Sequence, residues 1–245
     1  MKKMFLLAFV SLFIMTAITS CEKDEDNTIP SGAFNGKIQA TVSTNGVEVD
    51  TVKAFVWYDE EDEDDAEWEV ARGVYKNGDF TLNLPEIVPA KYLETLFADA
   101  PDGIKVSNAK VKCANFEDVS AYYEEEEVGE FYYGYENEKD DYEIAALFIY
   151  VDRDVNITGS YTEYEDGETY TETDNVSLKK GWNTVYRKYS KSGNEWKGEI
   201  TTTAPKGLKW YFDDDNYNDD NYIYSNQTRV AKVVKKYKAF SVFKK

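Results

Sequence analysis

The chain has 245 residues, of which 28 are basic and 47 acidic, and its formal net charge is −19 with no histidine at all. So negative a chain lacks the basic surface that nucleic-acid binding needs. The absence of histidine excludes Ser–His–Asp and Cys–His catalysis and imidazole-bound zinc. Catalysis by a pair of carboxylates, as in glycoside hydrolysis, remains open.

The N-terminal residues 1–20 have the composition of a secretory signal. Lys2 and Lys3 precede an uncharged, mostly apolar stretch that ends in small residues before Cys21. This order of positive charge, apolar run and small residues is typical of signal peptides. The apolar run is shorter than the roughly 20 residues that a membrane-spanning helix needs. We therefore predict export. In an ordinary signal peptide cleaved nearby, Cys21 would be incidental.

The segment Ile18-Thr19-Ser20-Cys21 resembles the lipobox of bacterial lipoproteins. That resemblance implies cleavage before Cys21 and attachment of acyl chains such as palmitate to it, so that the mature protein is anchored to a membrane. The acidic residues 22–26 resemble the surface-export signal of lipoproteins from Bacteroides-type bacteria. The resemblance implies an outer-membrane location with display at the cell surface, and a periplasm-facing anchor is the alternative. Residues 21–32 are predicted to be an acidic, flexible tether.

Residues 33–100 read as short strands with turns between them. Alternating or apolar runs predict strands at 37–43, 52–58, 69–75 and 79–84, with turns at Asn45-Gly46 and Asn77-Gly78. Pro89 and the apolar residues after it predict a short helix over 89–98. The stretch from Gly36 to Pro85 resembles the opening of transthyretin-like and carboxypeptidase-regulatory-like modules, and the resemblance implies a β-sandwich.

The second part, 104–245, also reads as strands, and we predict them at 109–116, 128–135, 142–151, 156–164, 169–178, 181–189, 196–203, 208–212 and 229–243. The continuous apolar run at 144–149 predicts a strand that is buried on both faces. The predicted fold class is therefore all-β, an antiparallel β-sandwich with one short helix. It forms either two packed sandwich modules or one continuous domain.

Cys113 is the only cysteine left after lipidation of Cys21, so no disulfide can form within the mature chain. It lies in an alternating stretch in which Lys110 and Lys112 face away from it. We predict that Cys113 is a buried core thiol rather than a nucleophile, because no histidine is present to activate it.

Aromatic residues cluster late in the chain among acids and amides. Aromatic rings next to carboxylates and amides can hold sugars by stacking and hydrogen bonding. The alternative is that most of these rings belong to the core. The candidate ligand-binding residues are Trp182, Tyr186, Trp196, Trp210 and Tyr211.

Two acidic runs offer the oxygen ligands that calcium prefers, and calcium is the one cofactor we predict. The first occupies 59–65, and the second supplies the candidate metal ligands Asp213, Asp214, Asp215, Asp219 and Asp220. The alternative is a pair of solvated loops. The basic run 229–238 could dock an anionic partner or could protect an edge strand.

These features predict a non-enzymatic binding module on an exported lipoprotein, with a glycan or a protein as ligand and no nucleic acid. A structural or adhesion subunit of a cell-surface assembly is the alternative. A carboxylate-pair glycosidase ranks third, because no pair among 47 acids stands out.

Overall fold

The computed structural model describes residues 32–60, 63–95, 100–136, 142–165 and 167–214. Within these ranges the chain forms fifteen β-strands and one short 3-10 turn, Ala90–Tyr92. The strands are β1 Gly32–Ala33, β2 Lys37–Thr41, β3 Thr51–Glu60, β4 Glu63–Val74, β5 Asp79–Asn83, β6 Ile104–Val106, β7 Cys113–Phe116, β8 Asp118–Tyr123, β9 Glu126–Tyr135, β10 Tyr142–Val151, β11 Val155–Glu165, β12 Glu168–Leu178, β13 Gly181–Ser192, β14 Glu195–Thr201 and β15 Lys209–Asp214.

Ten strands are hydrogen-bonded in the order β4-β3-β8-β9-β10-β13-β14-β12-β11-β6. Strands β1, β15 and β7 attach beside β13, β9 and β10, and β2 pairs with β5 in a separate two-stranded sheet. The pairs are antiparallel except for β12 and β14, which run parallel. The prediction of an all-β, sandwich-type fold is confirmed.

Strand β10 contributes to two apolar cores, one on each face. Its residues Phe148 and Ile144 pack into the first core, whereas Leu147 and Ile149 pack into the second. Successive side chains of a strand point to opposite faces, so a strand buried on both sides must be apolar throughout. The prediction of a doubly buried strand at 144–149 is therefore confirmed.

The two cores differ in their side chains. The first core is aromatic and joins inward residues of β2, β3, β5, β8 and β9 to one face of β10 and β13. The second core is aliphatic, and its members are Val111, Cys113, Leu147, Ile149, Val151, Val155, Ile157, Val176, Leu178, Val185 and Ile200. Cys113 is buried and forms no disulfide, as predicted.

The predicted helix at 89–98 does not form over the part that the structure describes. The 3-10 turn ends at Tyr92, and Leu93 is already extended. Glu94 and Cys113 exchange two backbone hydrogen bonds, with N···O distances of 2.8 and 2.9 Å. Pairing with a distant strand thus overrides the local helix preference, because the backbone groups find their partners there.

Strand pairing joins the two predicted modules. Strand β3 pairs with β8, which lies after residue 104, and Ala33 in β1 pairs with Asn183 in β13. Strands β6 and β8 were not among the predicted elements.

Strand β7 begins at Cys113 rather than at 109, because residues around Asn108 form a turn. In this turn the Asn108 side chain accepts a hydrogen bond from the Lys110 backbone. In the described ranges, no helix has the length and apolarity to cross a bilayer.

Candidate functional site

Four neighbouring strands, β11, β12, β14 and β13, bring aromatic and charged residues onto one face in three rows. Directly paired residues of adjacent strands share a face. The outer row is Glu163, Tyr170, Trp196 and Lys191. The middle row is Tyr161, Glu172, Gly198 and Tyr189. The inner row is Gly159, Asp174, Ile200 and Arg187.

The outer and middle rows enclose a small cavity. Its volume is about 20 Å³, and its lining residues are Tyr161, Tyr170, Thr171, Glu172, Tyr189, Trp196, Lys197 and Gly198. A water molecule needs roughly 10–15 Å³ measured in this way. The cavity therefore admits a water or a group of similar size, but not a whole sugar ring. We call it the β11–β14 pocket.

Gly198 leaves the space that the pocket occupies. A Cβ atom at this position would lie 3.2 Å from the Tyr189 ring and 3.5 Å from the Glu172 side chain. Because 3.2 Å is tighter than an ordinary van der Waals contact, a side chain here would press on the Tyr189 ring while touching Glu172 at an ordinary distance. Glycine thus keeps the middle row open between Glu172 and Tyr189.

The outer row forms an ordered rim around Glu168. One oxygen of this carboxylate lies 2.8 Å from the Lys191 ammonium, and the other accepts hydrogen bonds from Trp196 Nε1 at 2.9 Å and from the Tyr170 hydroxyl. The Tyr170 and Trp196 rings are nearly parallel, with centroids 6.3 Å apart. The Lys191 ammonium lies 4.1 Å from the centroid of the Trp196 ring. The rim is therefore held by both a carboxylate and a cation–π contact.

The inner row carries charges that are away from water. Arg187 is 3% exposed and forms an ion pair with Glu117. Asp174 is 2% exposed, and neither of its carboxyl oxygens has a hydrogen-bond partner. Burial raises the pKa of Asp174 to about 7, because the charged form loses its hydration.

The two tyrosines of the middle row have raised pKa values. Tyr161 is 6% exposed and its hydroxyl has no hydrogen-bond partner. Burial, followed by the charge of Glu172, raises the pKa of Tyr161. Burial also raises the pKa of Tyr189, while the Arg187 guanidinium acts in the opposite direction. The pocket is thus lined by neutral phenols above buried carboxyl groups.

The structure separates the five predicted ligand-binding aromatics. Trp182, Tyr186 and Trp210 are buried in the first core, where the Trp182 indole donates a hydrogen bond to the Pro85 carbonyl at 2.8 Å. Tyr211 lies on β15, half-buried and stacked on Tyr132 with centroids 5.1 Å apart. Trp196 is the one of the five that lines the β11–β14 pocket. The core alternative therefore describes Trp182, Tyr186 and Trp210, and these five residues form no common exposed face.

Sequence reasoning did not single out Tyr161, Tyr170, Glu172 or Asp174, although a signal was present. Along 168–178 the buried positions are Tyr170, Glu172, Asp174, Val176 and Leu178, and the opposite face carries threonine, asparagine and serine. Acids on the inward face of an alternating strand are unusual, because an isolated buried charge is costly. That pattern marks a polar interior site.

The predicted calcium site lies mostly outside the described residues. Asp213 and Asp214 end β15, whereas Asp215, Asp219 and Asp220 fall beyond residue 214. Cys21 and the basic run 229–238 also lie outside the described ranges, as do the side chains of 59–65. Within the described part of the chain, no group of three or more His, Cys, Asp or Glu side chains could hold a metal ion.

Comparisons of the chain with protein-family models, with curated proteins and with solved structures found no match. The β11–β14 pocket therefore has to be interpreted from its own chemistry. Aromatic walls, a carboxylate-held rim and a buried acid form a preorganised site for a small polar or cationic group. Nothing in this set resembles a nucleophile paired with a base.

Proposed function

We propose that this chain is an exported, lipid-anchored binding protein of the outer membrane that holds an extracellular ligand, a glycan in the first instance, without chemical turnover. The proposed export and lipid anchoring are supported by the signal-like residues 1–20 and by the lipobox-like segment that ends at Cys21. The observation that carries the binding function is the rim of the β11–β14 pocket, where Glu168 fixes the Trp196 indole beside Tyr170. A ring held in place by its own hydrogen bond loses little entropy when a ligand docks on it.

Binding fits this site better than glycoside hydrolysis does. Glu172 and Asp174 are two residues apart on one strand, so their Cα atoms are about 6.6 Å apart, within the range of a carboxylate pair. A glycosidase, however, needs a cleft in which a sugar lies between its two acids. The cavity of about 20 Å³ is far smaller than such a cleft, and Asp174 lies beneath it in the inner row. A ligand can therefore insert one group and rest its ring at the rim.

A glycan-array screen of the detergent-solubilised mature chain, followed by titration calorimetry on the best glycan, tests this function. We expect Trp196→Ala to weaken binding about tenfold, which is about 1.4 kcal/mol. Trp57→Ala is the matched control, because Trp57 is 57% exposed and lies on β3, away from the pocket. Loss of binding in the Trp57 variant with full binding in the Trp196 variant would move the ligand site away from the pocket.

A structural or adhesion subunit is the second candidate, and the length of β4 favours it. This twelve-residue strand stands at one end of the sheet order and could accept another chain. Its edge also carries Glu67, Glu69 and Arg72, and such charges oppose edge-to-edge pairing. Assembly through β4 would be supported if the protein forms polymers at high concentration and if Glu67→Val and Arg72→Val increase their formation. A monomer at all concentrations would argue against it.

A further inference from the structure

The inner and middle rows of the β11–β14 pocket contain one acid whose charge is not balanced. Asp174 is 2% exposed, and neither of its oxygens has a partner. The guanidinium in the same row, Arg187, is already paired with Glu117. An unpaired buried carboxylate destabilises the fold that contains it, so the folded protein keeps Asp174 at a cost to its stability. An unpaired carboxylate of this kind can form an ion pair with a positively charged group of a ligand.

The walls of the pocket suit a cation as well. Tyr161, Tyr170, Tyr189 and Trp196 present aromatic rings to a cavity of about 20 Å³. Aromatic faces attract cations through their quadrupole, most strongly where water is excluded. The Tyr161 hydroxyl also lacks a partner and can accept an N–H bond. Ring faces, an acceptor hydroxyl and an unpaired carboxylate together match the donors and the charge of an ammonium group.

We propose that the β11–β14 pocket binds a protonated primary amine carried by the ligand, with the amine lying between the aromatic walls and directed towards Asp174. The inference rests on the proposed binding function and specifies its ligand as an amino-bearing glycan, such as a 2-amino sugar. The sugar ring stays at the rim formed by Tyr170 and Trp196, because the cavity does not admit it.

Lys191 already shows this chemistry at the rim. Its ammonium lies 2.8 Å from a Glu168 oxygen and 4.1 Å from the Trp196 ring centroid. The same combination of carboxylate and aromatic ring recurs in the middle and inner rows, where no described lysine takes the place of the cation beside Asp174. The net charge of −19 adds a long-range attraction for cationic ligands.

Other ligand classes fit the pocket less well. A phosphate or carboxylate would meet Glu172 and Asp174 as like charges. A multivalent metal lacks a set of three protein ligands among the described residues. A neutral hydroxyl could pair with the protonated form of Asp174 but would leave its ionised form without a compensating charge. The ammonium group is the occupant that meets each feature of the site.

Titration of the detergent-solubilised mature chain with D-glucosamine and N-acetyl-D-glucosamine tests the proposal, because the two sugars differ in whether the 2-nitrogen is charged. We expect glucosamine to bind about tenfold or more tightly than its acetylated form. Asp174→Asn should remove this preference. Glu199→Gln is the matched control, because it removes one negative charge from the exposed face of β14 and should leave the preference intact.

The pH dependence gives a second readout. The amine binds the ionised form of Asp174, whose pKa in the empty pocket is about 7. The other titratable groups around it are Glu172 on the same strand, Tyr161 on β11, and Arg187 and Tyr189 on β13. Glucosamine affinity should therefore rise by nearly tenfold from about pH 5 to pH 6 and by about fivefold from pH 6 to pH 7, and Asp174→Asn should flatten this rise.

The outcomes separate this inference from the proposed function. Equal binding of the two sugars, weakened equally by Trp196→Ala, would overturn the amine inference and leave the glycan-binding function standing. No binding of glucosamine, with only a water molecule in the cavity of a crystal grown with the sugar, would overturn the inference too. The glycan array would then decide the proposed function independently.

Discussion

At Asp174 a carboxyl group is removed from water, and no hydrogen bond compensates for the lost hydration. Its pKa is raised from 3.8 to about 7, so the folded state holds this proton more tightly than the unfolded chain does. The contribution of Asp174 to the free energy of unfolding is greatest below about pH 4. It falls as the pH rises to about 7 and is constant at higher pH.

Asp174→Asn should therefore stabilise the ligand-free protein at neutral and higher pH. The shift of roughly three pKa units sets an upper limit of about 4 kcal/mol on the gain at pH 8, and little change is expected near pH 4. Urea unfolding of both proteins at the two pH values measures the difference. An equal effect at both values would show that the carboxyl charge is not the cause.

The ion pair between Arg187 and Glu117 should matter far more than ion pairs at the surface. Arg187→Met would remove the buried cation that is paired with Glu117, and we expect a loss of about 3–5 kcal/mol in the free energy of unfolding. Arg153→Met is the control, because Arg153 is exposed and its pair with the half-buried Asp152 lies at the surface, where ion pairs contribute about 0–1 kcal/mol.

Denaturant unfolding of the two variants and of the double variant Arg187→Met/Glu117→Gln checks this expectation. The double variant should recover part of the loss, since it also removes the negative charge that Arg187 balances. Similar losses in the Arg187 and Arg153 variants would contradict a special role for burial.

Among the elements, β10 stands out because both of its faces are buried. Phe148→Ala empties space in the aromatic first core and Ile149→Ala in the aliphatic second core, and each should cost about 2–5 kcal/mol. Ser177→Ala on the exposed face of β12 should change stability by less than about 0.5 kcal/mol. Thermal unfolding measures all three. A cost confined to one of the two core variants would mean that only one core limits stability.

The sequence pattern predicted strands well where alternation or a long apolar run was present. Strands β2, β5, β10 and β12 follow from such patterns. Strand β6 has only three residues, and in β8 the apolar pair Val119 and Ala121 is followed directly by tyrosines and glutamates, so the alternation does not continue. The helix expected after Pro89 fails because Glu94 pairs with the backbone of Cys113, a contact that local sequence does not encode.

The candidate site could be predicted only in part. Trp196 was chosen from the sequence, but its neighbours Tyr170 and Glu172 depend on the parallel pairing of β12 with β14. Parallel register is set by long-range packing rather than by a turn, so it is not visible in the residues themselves. The aromatics of β13 and β15 that looked available to a ligand, Trp182 and Trp210, are buried because those faces belong to the first core.

At the scale of the whole molecule, we propose that lipid attachment at Cys21 decides where the protein resides. We predict that labelled palmitate is incorporated into the wild-type chain and not into Cys21→Ala, which should leave the membrane fraction. Cys113→Ala is the control and should still be labelled. Protease treatment of intact cells then distinguishes surface display from a periplasm-facing anchor. Equal membrane recovery of Cys21→Ala would contradict the lipobox prediction.

The acidic run 213–220 predicts that calcium stabilises the folded protein. Millimolar calcium should raise the thermal midpoint by several degrees, because a ligand of the folded state must do so. Sodium chloride at matched ionic strength is the control, since screening alone relieves the repulsion of a chain with net charge −19. A variant carrying Asp215→Asn, Asp219→Asn and Asp220→Asn should lose the calcium effect. No shift beyond the sodium control would make these acids a solvated loop.

Labelling of the Cys113 thiol can report on the opening of the second core. Cys113 is 1% exposed and packed among aliphatic side chains, and the proposed acylation of Cys21 would leave it as the single thiol of the two cysteines. In a Trp57→Phe/Trp196→Phe variant the remaining indoles, Trp68, Trp182 and Trp210, belong to the first core or pack against it, so their fluorescence follows that region. The rate of thiol labelling and the emission of the indoles thus follow the two sides of β10 separately. Coincident transitions would mean that β10 ties both cores into one cooperative unit, whereas earlier labelling would reveal a partly open state in which the second core loosens first.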